Sequence, residues 1–246
     1  MAYRRRCALT GAVVVLAGWL VATSAGAKEA EKADFLVEHR AALSPSALHP
    51  PGGTLLLDLN GPAPGFTAAP IDLLMIRATA LRFGRHFRLV AAQVQGQLLR
   101  TQRSHIAVFG SVLDARIDAS YTRRHWAAGA VVTFRGQHAH SGWLSLLGGF
   151  GLRDQVQDTS PLHQWGWFLG VNALVPLRPR LAATAEAIKL GVRDHLVSVA
   201  GRVAVGRLNL DVGLVRPSIE GIDLDALPVW PWLALSFRAL PWHPGS

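Results

Sequence analysis

Apolar and polar residues alternate with period two along most of the chain between residues 72 and 238. This periodicity is typical of β-strands that present one apolar and one polar face. It is most regular over 113–122, where apolar side chains from Leu113 to Tyr121 alternate at every position with polar ones from Asp114 to Thr122. After residue 27 the sequence contains no apolar run of about 20 residues, the length that a membrane-spanning helix needs. The pattern therefore predicts an all-β chain.

About ten strands of this kind follow one another, separated by short connectors that contain Gly, Pro or charged residues. They cover residues 72–83, 90–98, 113–122, 126–135, 139–152, 165–175, 181–188, 197–205, 208–214 and 233–238. When the strands are counted, the long connections 153–163 and 216–229 fall on one side of the sheet. The short turns 176–179 and 206–207 fall on the other side. Short turns on one side and long loops on the other are typical of membrane barrels.

The first 27 residues have the organisation of a secretory signal peptide. Arg4, Arg5 and Arg6 precede a short apolar run over 12–21, and small residues up to Ala27 provide a cleavage site. Cleavage there removes the only cysteine of the chain, Cys7. The mature protein is therefore expected to be exported and to depend on burial and backbone pairing, without disulfides.

Composition changes again before the predicted strands begin. Residues 28–42 are charged, and the chain up to residue 68 is rich in Pro and Gly. We predict an N-terminal periplasmic or linker segment over 28–68, in which 54–59 adds an edge strand or a periplasmic contact. A β-barrel domain with a short C-terminal tail is predicted over 69–246.

Taken together, a signal peptide, a cysteine-free mature chain, strands of about ten residues and tryptophans near strand ends resemble bacterial outer-membrane β-barrel proteins. The resemblance covers about 72–240 and identifies no particular family. It departs from the class at the C-terminus, because the strand ending at Phe237 is followed by a further tail. The resemblance implies an antiparallel up-and-down transmembrane β-barrel of about 10 strands (about 8 to 12) in the outer membrane of a Gram-negative bacterium. It also implies assembly by the outer-membrane assembly machinery.

Such a barrel would face lipid with its apolar positions and enclose its polar ones. At about ten strands the lumen is narrow and is expected to be filled by side chains, with buried charges in pairs. The polar residues predicted to face the lumen are Gln93, Gln95, Gln97, Asp114, Arg116, Asp118, Glu186, Arg202 and Asp211. The aromatic residues predicted to lie at the lipid headgroups are Trp126, Trp165, Trp167, Trp230 and Trp232.

The formal net charge of +9 first suggests nucleic acid as a partner. We instead expect membrane lipid and lipopolysaccharide, because an exported chain meets little nucleic acid and many arginines fall at predicted strand ends, where headgroup phosphates lie. The sequence contains no Gly-x-Ser-x-Gly, His-Glu-x-x-His or phosphate-binding glycine loop. His138 and His140 share one strand face, but spacing supplies no third metal ligand. We therefore predict no enzyme activity, no metal and no cofactor.

Two functions from different classes fit these observations. The first is an integral outer-membrane barrel with a structural, envelope-interaction or narrow-channel role. The second is a soluble exported barrel or sandwich, similar to lipocalins, that binds a small apolar ligand. They predict opposite orientations, since a soluble barrel would turn its apolar faces inward and expose residues such as Gln93 and Gln95 to water.

Overall fold

The protein is described by a computed structural model. The described residues are 44–60, 63–83, 87–117, 121–136, 142–157, 160–178, 180–191, 194–205, 207–218 and 229–239. Predictions for residues 1–43, among them the signal peptide and the charged stretch 28–42, lie outside these ranges. So do Asp118 and the pair His138 and His140.

Within the described residues, twelve antiparallel strands form one closed barrel. The strands are β1 (Thr54–Asn60), β2 (Ala63–Ile71), β3 (Leu74–Phe83), β4 (Phe87–Arg100), β5 (Ser104–Ile117), β6 (Tyr121–Arg135), β7 (Trp143–Gln157), β8 (Ser160–Arg178), β9 (Leu181–Leu190), β10 (Asp194–Val205), β11 (Leu208–Ser218) and β12 (Trp230–Arg238). Each strand pairs with its neighbours in sequence, and β1 closes the barrel by pairing with β12. Closure removes the free sheet edges that would expose unpaired backbone groups.

The barrel has twelve strands, at the upper end of the predicted range of 8 to 12. The two strands beyond the ten predicted ones are β1 and β2, which were not expected to be full members of the sheet. Both fall wholly or largely within 28–68, the predicted periplasmic or linker segment. Asp58 of β1 lies opposite Ser236 of β12, and Gly65 of β2 lies opposite Thr79 of β3. The Gly, Ala and Pro residues of β2 conceal its alternation, so only pairing with β1 and β3 reveals the strand.

The most regular alternation in the sequence spans a turn. β5 ends at Ile117 and β6 begins at Tyr121, so the predicted strand 113–122 is divided between two strands. Similarly, the predicted connection 153–163 is largely strand, because β7 continues to Gln157 and pairs there with Ser160. The sequence pattern cannot reveal a chain reversal when the residues between two strands continue the apolar–polar alternation.

The barrel wall is uneven in height. Strands β4 to β8 contain 14 to 19 residues, whereas the others contain 7 to 12. We call the end that holds the β7–β8 and β11–β12 connections the upper rim, and the opposite end, where β1 begins and β12 ends, the lower rim. No helix within the described ranges has the length and apolarity needed to cross a bilayer, a finding that does not bear on strands.

The outer face of the wall is apolar and exposed, and the inner face is largely buried. Exposed outward side chains include Val94, Val108, Leu146, Phe150 and Val212. Inside, a small apolar cluster of Ala107, Phe109, Val131, Leu147 and Phe168 surrounds Ala47. The remaining inner surface carries many polar side chains and a second apolar cluster around Leu48.

Candidate functional site

Residues 44–48, which we call the lumenal segment, lie inside the barrel. Ser44, Ser46, Ala47 and Leu48 are at most 4% exposed. Pro45 provides no backbone donor and favours an extended chain on its N-terminal side. The backbone N of Leu48 donates to Ser46 Oγ within the segment at 3.2 Å. The segment's other hydrogen bonds are with the barrel wall, where residues of β4, β6, β8 and β9 supply the partners.

Glu186 of β9 anchors the upper end of the lumenal segment at mid-height in the barrel. Its Oε2 accepts hydrogen bonds from the backbone N of Ser44 at 2.8 Å and from Ser44 Oγ at 2.6 Å, while Oε1 accepts one from Ser198 Oγ at 2.7 Å. Asn172 Nδ2 of β8 donates to Ser44 Oγ at 2.6 Å and to the Pro45 carbonyl at 2.9 Å. A buried carboxylate is thus compensated by several donors at once.

Wall residues hold the middle of the lumenal segment through its backbone. Gln95 Nε2 donates to the Ser46 carbonyl at 2.7 Å, and Gln97 Nε2 donates to the Ala47 carbonyl at 3.4 Å. The backbone N of Ala47 donates to Thr133 Oγ1 at 2.6 Å. These contacts explain why two successive inward positions of β4 are glutamines, whose amides donate to passing backbone carbonyls.

At the lower rim the lumenal segment ends in an apolar contact. Leu48 packs with Trp143 of β7, Leu174 of β8 and Ala182 of β9, and all four are at most 4% exposed. Polar anchoring at mid-height and apolar packing near the rim together hold the segment in the lower half of the lumen. A peptide segment therefore occupies the path that a solute would take there.

Two buried charge groups complete the inner wall. Arg202 of β10 and Asp211 of β11 lie directly opposite and form a bidentate pair, with Nε–Oδ1 at 2.6 Å and Nη2–Oδ2 at 2.8 Å. Asp58 of β1 accepts hydrogen bonds from Thr67 Oγ1 at 2.6 Å and Ser236 Oγ at 2.7 Å, which link β1 to both of its neighbours. Each buried charge therefore has an opposite charge or hydroxyl donors beside it, which offset the free-energy cost of removing it from water.

The predicted lumenal residues do not all share one face. Gln95, Gln97, Glu186, Arg202 and Asp211 are buried inside the barrel. Gln93 lies on the same inner face, two positions from Gln95, and donates to its side chain at 3.2 Å.

Asp114 and Arg116 require a correction, since they lie on the outer wall. Ser111 pairs with Gln93 on the inner face, so the odd-numbered positions of β5 point inward and the even-numbered ones point outward. Asp118 is outside the described residues. Period-two alternation separates the two faces of a strand and does not tell which face is inside.

The aromatic residues also divide between the two faces. Trp126, Trp165 and Trp167 are on the outer wall and 49%, 78% and 40% exposed. Trp230 and Trp232 of β12 instead share the inner face with Ala234, the residue opposite buried Asp211. This is a second correction, with the same physical reason.

Sequence reasoning missed Thr133 and Asn172, which contact the lumenal segment, and Ser198, which donates to Glu186. The available signal was weak, because isolated Ser, Thr and Asn residues on an apolar strand are common. Asp58, the one charged residue among the four leucines of 55–59, was the clearest missed signal. Its partner Thr67 is 9 residues away on the next strand, whereas its partner Ser236 is 178 residues away.

A second group of polar residues lies on the inner face near the upper rim. Arg123 Nε donates to His125 Nε2 at 2.7 Å, and Arg153 Nη2 forms an ion pair with Asp194 Oδ2 at 2.7 Å. His125, Arg153 and Asp194 line a cavity of about 590 Å³ that also contacts Trp165 and Trp167. Leu190 and Gly191 at the end of β9 and Asp194 at the start of β10 bound it on one side. Within the described residues, no group of three or more His, Cys, Asp or Glu side chains is placed to hold a metal ion.

The fold and its interior define a closed antiparallel barrel with a polar lumen that contains a segment of its own chain. Comparison with known proteins adds no family to this description: no family model matches the chain, and neither a curated protein nor a solved structure gives a significant match.

Proposed function

We propose that this protein is an integral outer-membrane β-barrel with an envelope-structural role, whose lumen is closed at rest by residues 44–48. The observation that supports the proposal is the orientation of the strands. Apolar side chains such as Val108, Leu146, Val199 and Val212 are 41% to 54% exposed on the outer wall. A wall of this kind is suited to lipid, because closure satisfies the backbone groups that lipid cannot.

The distribution of outward charge supports the same proposal. On β5 the outward positions Val108, Gly110 and Val112 are apolar or small, and the next two, Asp114 and Arg116, are charged. Trp126 of β6 lies directly opposite Val112, at the level of this change. An apolar band bordered by aromatic and then charged residues is the arrangement of a barrel at a lipid headgroup boundary.

A soluble lipocalin-like barrel is the competing function, and its lumen would need apolar space for a ligand. The described lumen is instead occupied at mid-height by Gln95, Asn172 and Glu186 with the segment bound to them. A narrow channel is compatible with the same fold only if residues 44–48 leave the lumen.

Fractionation of cells that produce the full chain tests the proposal. We expect the protein in the outer-membrane fraction after alkaline extraction, with a gel mobility that changes on heating because closed barrels resist detergent until heated. Recovery in the soluble periplasmic fraction would overturn the membrane proposal and favour the lipocalin-like function.

A further inference from the structure

The lumenal segment runs downward from Ser44 at mid-height to Leu48 near the lower rim. Ser44 contacts Glu186 and Asn172 in the middle of the wall, whereas Leu48 belongs to the apolar cluster near the rim. Followed towards its N-terminus, the chain therefore ascends and reaches Ser44 inside the closed barrel. Because the residue before a proline favours an extended conformation, and Pro45 follows Ser44, the chain is expected to continue upward from there.

Above Ser44 the inner face of β6, β7 and β8 provides space that no described side chain fills. Ala127 lies opposite Gly151, and Gly151 lies opposite Gly166, so three small residues form one row across these strands. A Cβ atom added to Gly166 would meet no other atom within 4 Å. All three residues line the cavity of about 590 Å³ near the upper rim. A row of this kind lets another backbone approach the wall closely.

Hydrogen-bonding side chains form the next row of the inner face, directly above the small residues. His125 lies opposite Arg153, and Arg153 lies opposite Gln164. Among the described residues, Arg153 donates only to Asp194, and the Gln164 side chain forms no hydrogen bond. A guanidinium has five N–H donors, so Arg153 retains donors for a carboxylate or for backbone carbonyls. A peptide that passes this row can therefore be held by it.

The chain before Ser44 is long enough to reach this polar row and pass it. After the predicted cleavage of the signal peptide, residues 28–43 precede Ser44, and we call them the leading segment. They lie outside the described residues. Along β8, Gln164 is eight residues above Asn172, which is about 26 Å along the tilted strand and about 20 Å along the barrel axis. An extended chain covers this rise in about six residues, which brings Glu38 to the level of Gln164.

Charge favours the same occupant. The leading segment has a formal net charge of −1, although the whole chain has +9. Its acidic residues are Glu29, Glu31, Asp34 and Glu38, and its basic residues are Lys28, Lys32 and Arg40. The charged inner-face residues described around the cavity are Arg123, Arg153 and Asp194, which together carry a formal charge of +1. The described charges of the wall are thus complementary to those of the leading segment.

We propose that the leading segment, residues 28–43, occupies the upper lumen, with the Glu38 carboxylate on Arg153 and Gln164 and the mature N-terminus at the upper rim. Its display outside the cell depends on the proposed membrane function, in which the rim with the long β11–β12 connection faces outward. The barrel then carries the start of its own chain through its lumen and presents a charged peptide at the cell surface. This display gives the envelope-structural role a specific content.

Disulfide trapping in the purified full-length barrel tests the docking. Since the only cysteine of the chain lies in the predicted signal peptide, a designed pair provides the only thiols. We expect Glu38→Cys with Gln164→Cys to form a disulfide in most of the heat-modifiable protein after mild oxidation. Val37→Cys and His39→Cys are paired with Gln164→Cys in the same way, so that a shift of one residue does not conceal the contact. The matched control pairs Glu38→Cys with Thr54→Cys, an inward position where β1 begins at the lower rim, and is expected to form no disulfide.

Two results of the trapping experiment overturn the docking. A disulfide in the control pair would show that the leading segment turns back towards the lower rim. Absence of a disulfide in every pair with Gln164→Cys would show that the segment lies elsewhere and leaves the upper lumen to water or to a solute.

Labelling of intact cells with a membrane-impermeant maleimide tests the display. Glu29→Cys is expected to react as fully as Val229→Cys, which lies just before β12 at the upper rim and is exposed. The control is Gln102→Cys, in the exposed lower-rim turn between β4 and β5, which is expected to react only after the envelope is permeabilised.

The outcomes distinguish the display from the proposed function. A heat-modifiable outer-membrane protein in which Val229→Cys reacts and Glu29→Cys does not overturns the display alone. Reaction of Gln102→Cys in intact cells, without reaction of Val229→Cys, also overturns the display, because the upper rim would then face the periplasm. Recovery of the protein in the soluble fraction overturns the proposed function together with the display, whereas the disulfide pairs still decide whether the leading segment occupies the lumen.

Discussion

Glu186 Oε2 accepts hydrogen bonds from the backbone N and the Oγ of Ser44, a residue 142 positions earlier in the chain. This contact joins the segment before the barrel to the middle of the barrel wall. Both residues are at most 3% exposed, so the contact holds the lumenal segment inside the barrel.

The first prediction concerns this anchor. Glu186→Ala leaves the donors of Ser44 and Ser198 without their acceptor, so we expect a loss of about 2–4 kcal/mol in the free energy of unfolding. The measurement is the urea midpoint of heat-modifiable gel mobility, together with protease cleavage near residue 44. Lys189→Ala, on the outer face of the same strand, is the control and is expected to change neither. Unchanged cleavage in Glu186→Ala would show that the segment is held without this carboxylate.

The second prediction concerns conduction. Deletion of residues 44–48 removes the peptide from the lower half of the lumen, so we expect measurable ion conductance in planar bilayers from a variant that retains heat-modifiable mobility. The full chain is the control and is expected to conduct at most briefly. If a folded deletion variant shows no conductance, wall side chains alone close the lumen. The double variant Asn172→Ala, Gln95→Ala would then be the next one to measure.

The third prediction concerns the buried pair of Arg202 and Asp211. Asp211→Ala leaves a buried guanidinium uncompensated and is expected to cost about 3–5 kcal/mol in the free energy of unfolding. Replacement of both residues by leucine removes both charges, and we expect a much smaller loss, within about 1–2 kcal/mol. Urea unfolding monitored by tryptophan fluorescence gives both values. Equal losses in the single and double variants would contradict an energetic coupling between the two side chains.

The fourth prediction tests whether the outer wall of the barrel faces lipid or water. Val212 is at the middle of β11, on the outer wall, and 54% exposed. In a membrane, Val212→Arg is expected to destabilise the barrel by about 2–4 kcal/mol, whereas Leu208→Arg near the lower rim is expected to cost at most about 1 kcal/mol. A soluble barrel would tolerate both within about 0.5 kcal/mol, because surface substitutions rarely matter more. Unfolding in lipid vesicles provides the comparison.

The fifth prediction concerns pH. Burial lowers the pKa of His49, which follows the lumenal segment, below its ordinary value of 6.5, and nearby Arg100 adds to the lowering. The released or unfolded chain therefore binds a proton more readily than the docked chain, and the docked state loses stability as pH falls below 6.5. We expect protease cleavage near residue 44 to increase between pH 7.5 and pH 5, and His49→Gln to remove this increase. An identical pH profile in the variant would assign the effect to other groups.

Much of the wall could be predicted from the sequence. Alternation located most of β3 to β12, because a strand that separates two environments repeats its pattern every two residues. It did not locate the turn between Ile117 and Tyr121, since the intervening residues continue the pattern. It also did not assign β1 and β2 to the barrel, since the evidence for them is pairing with distant strands.

The contacts of the lumenal segment could not be predicted from the local sequence. A serine before a proline, as in Ser44 and Pro45, has no distinguishing pattern, and its partners Asn172 and Glu186 are more than 120 residues away. Only closure of the barrel brings them within hydrogen-bond distance. The cluster of glutamines on β4 was visible as a polar face, but the peptide to which it donates was not.

The sequence by itself determined that this chain forms alternating strands with one polar and one apolar face. The tertiary structure decided which face is inside. Gln95 and Asp114 both belong to polar faces, yet Gln95 contacts Ser46 inside the barrel and Asp114 lies outside beside Arg124. The reason is physical: a strand's own periodicity is unchanged when the strand is turned over, and only its register with paired neighbours around a closed sheet removes that ambiguity.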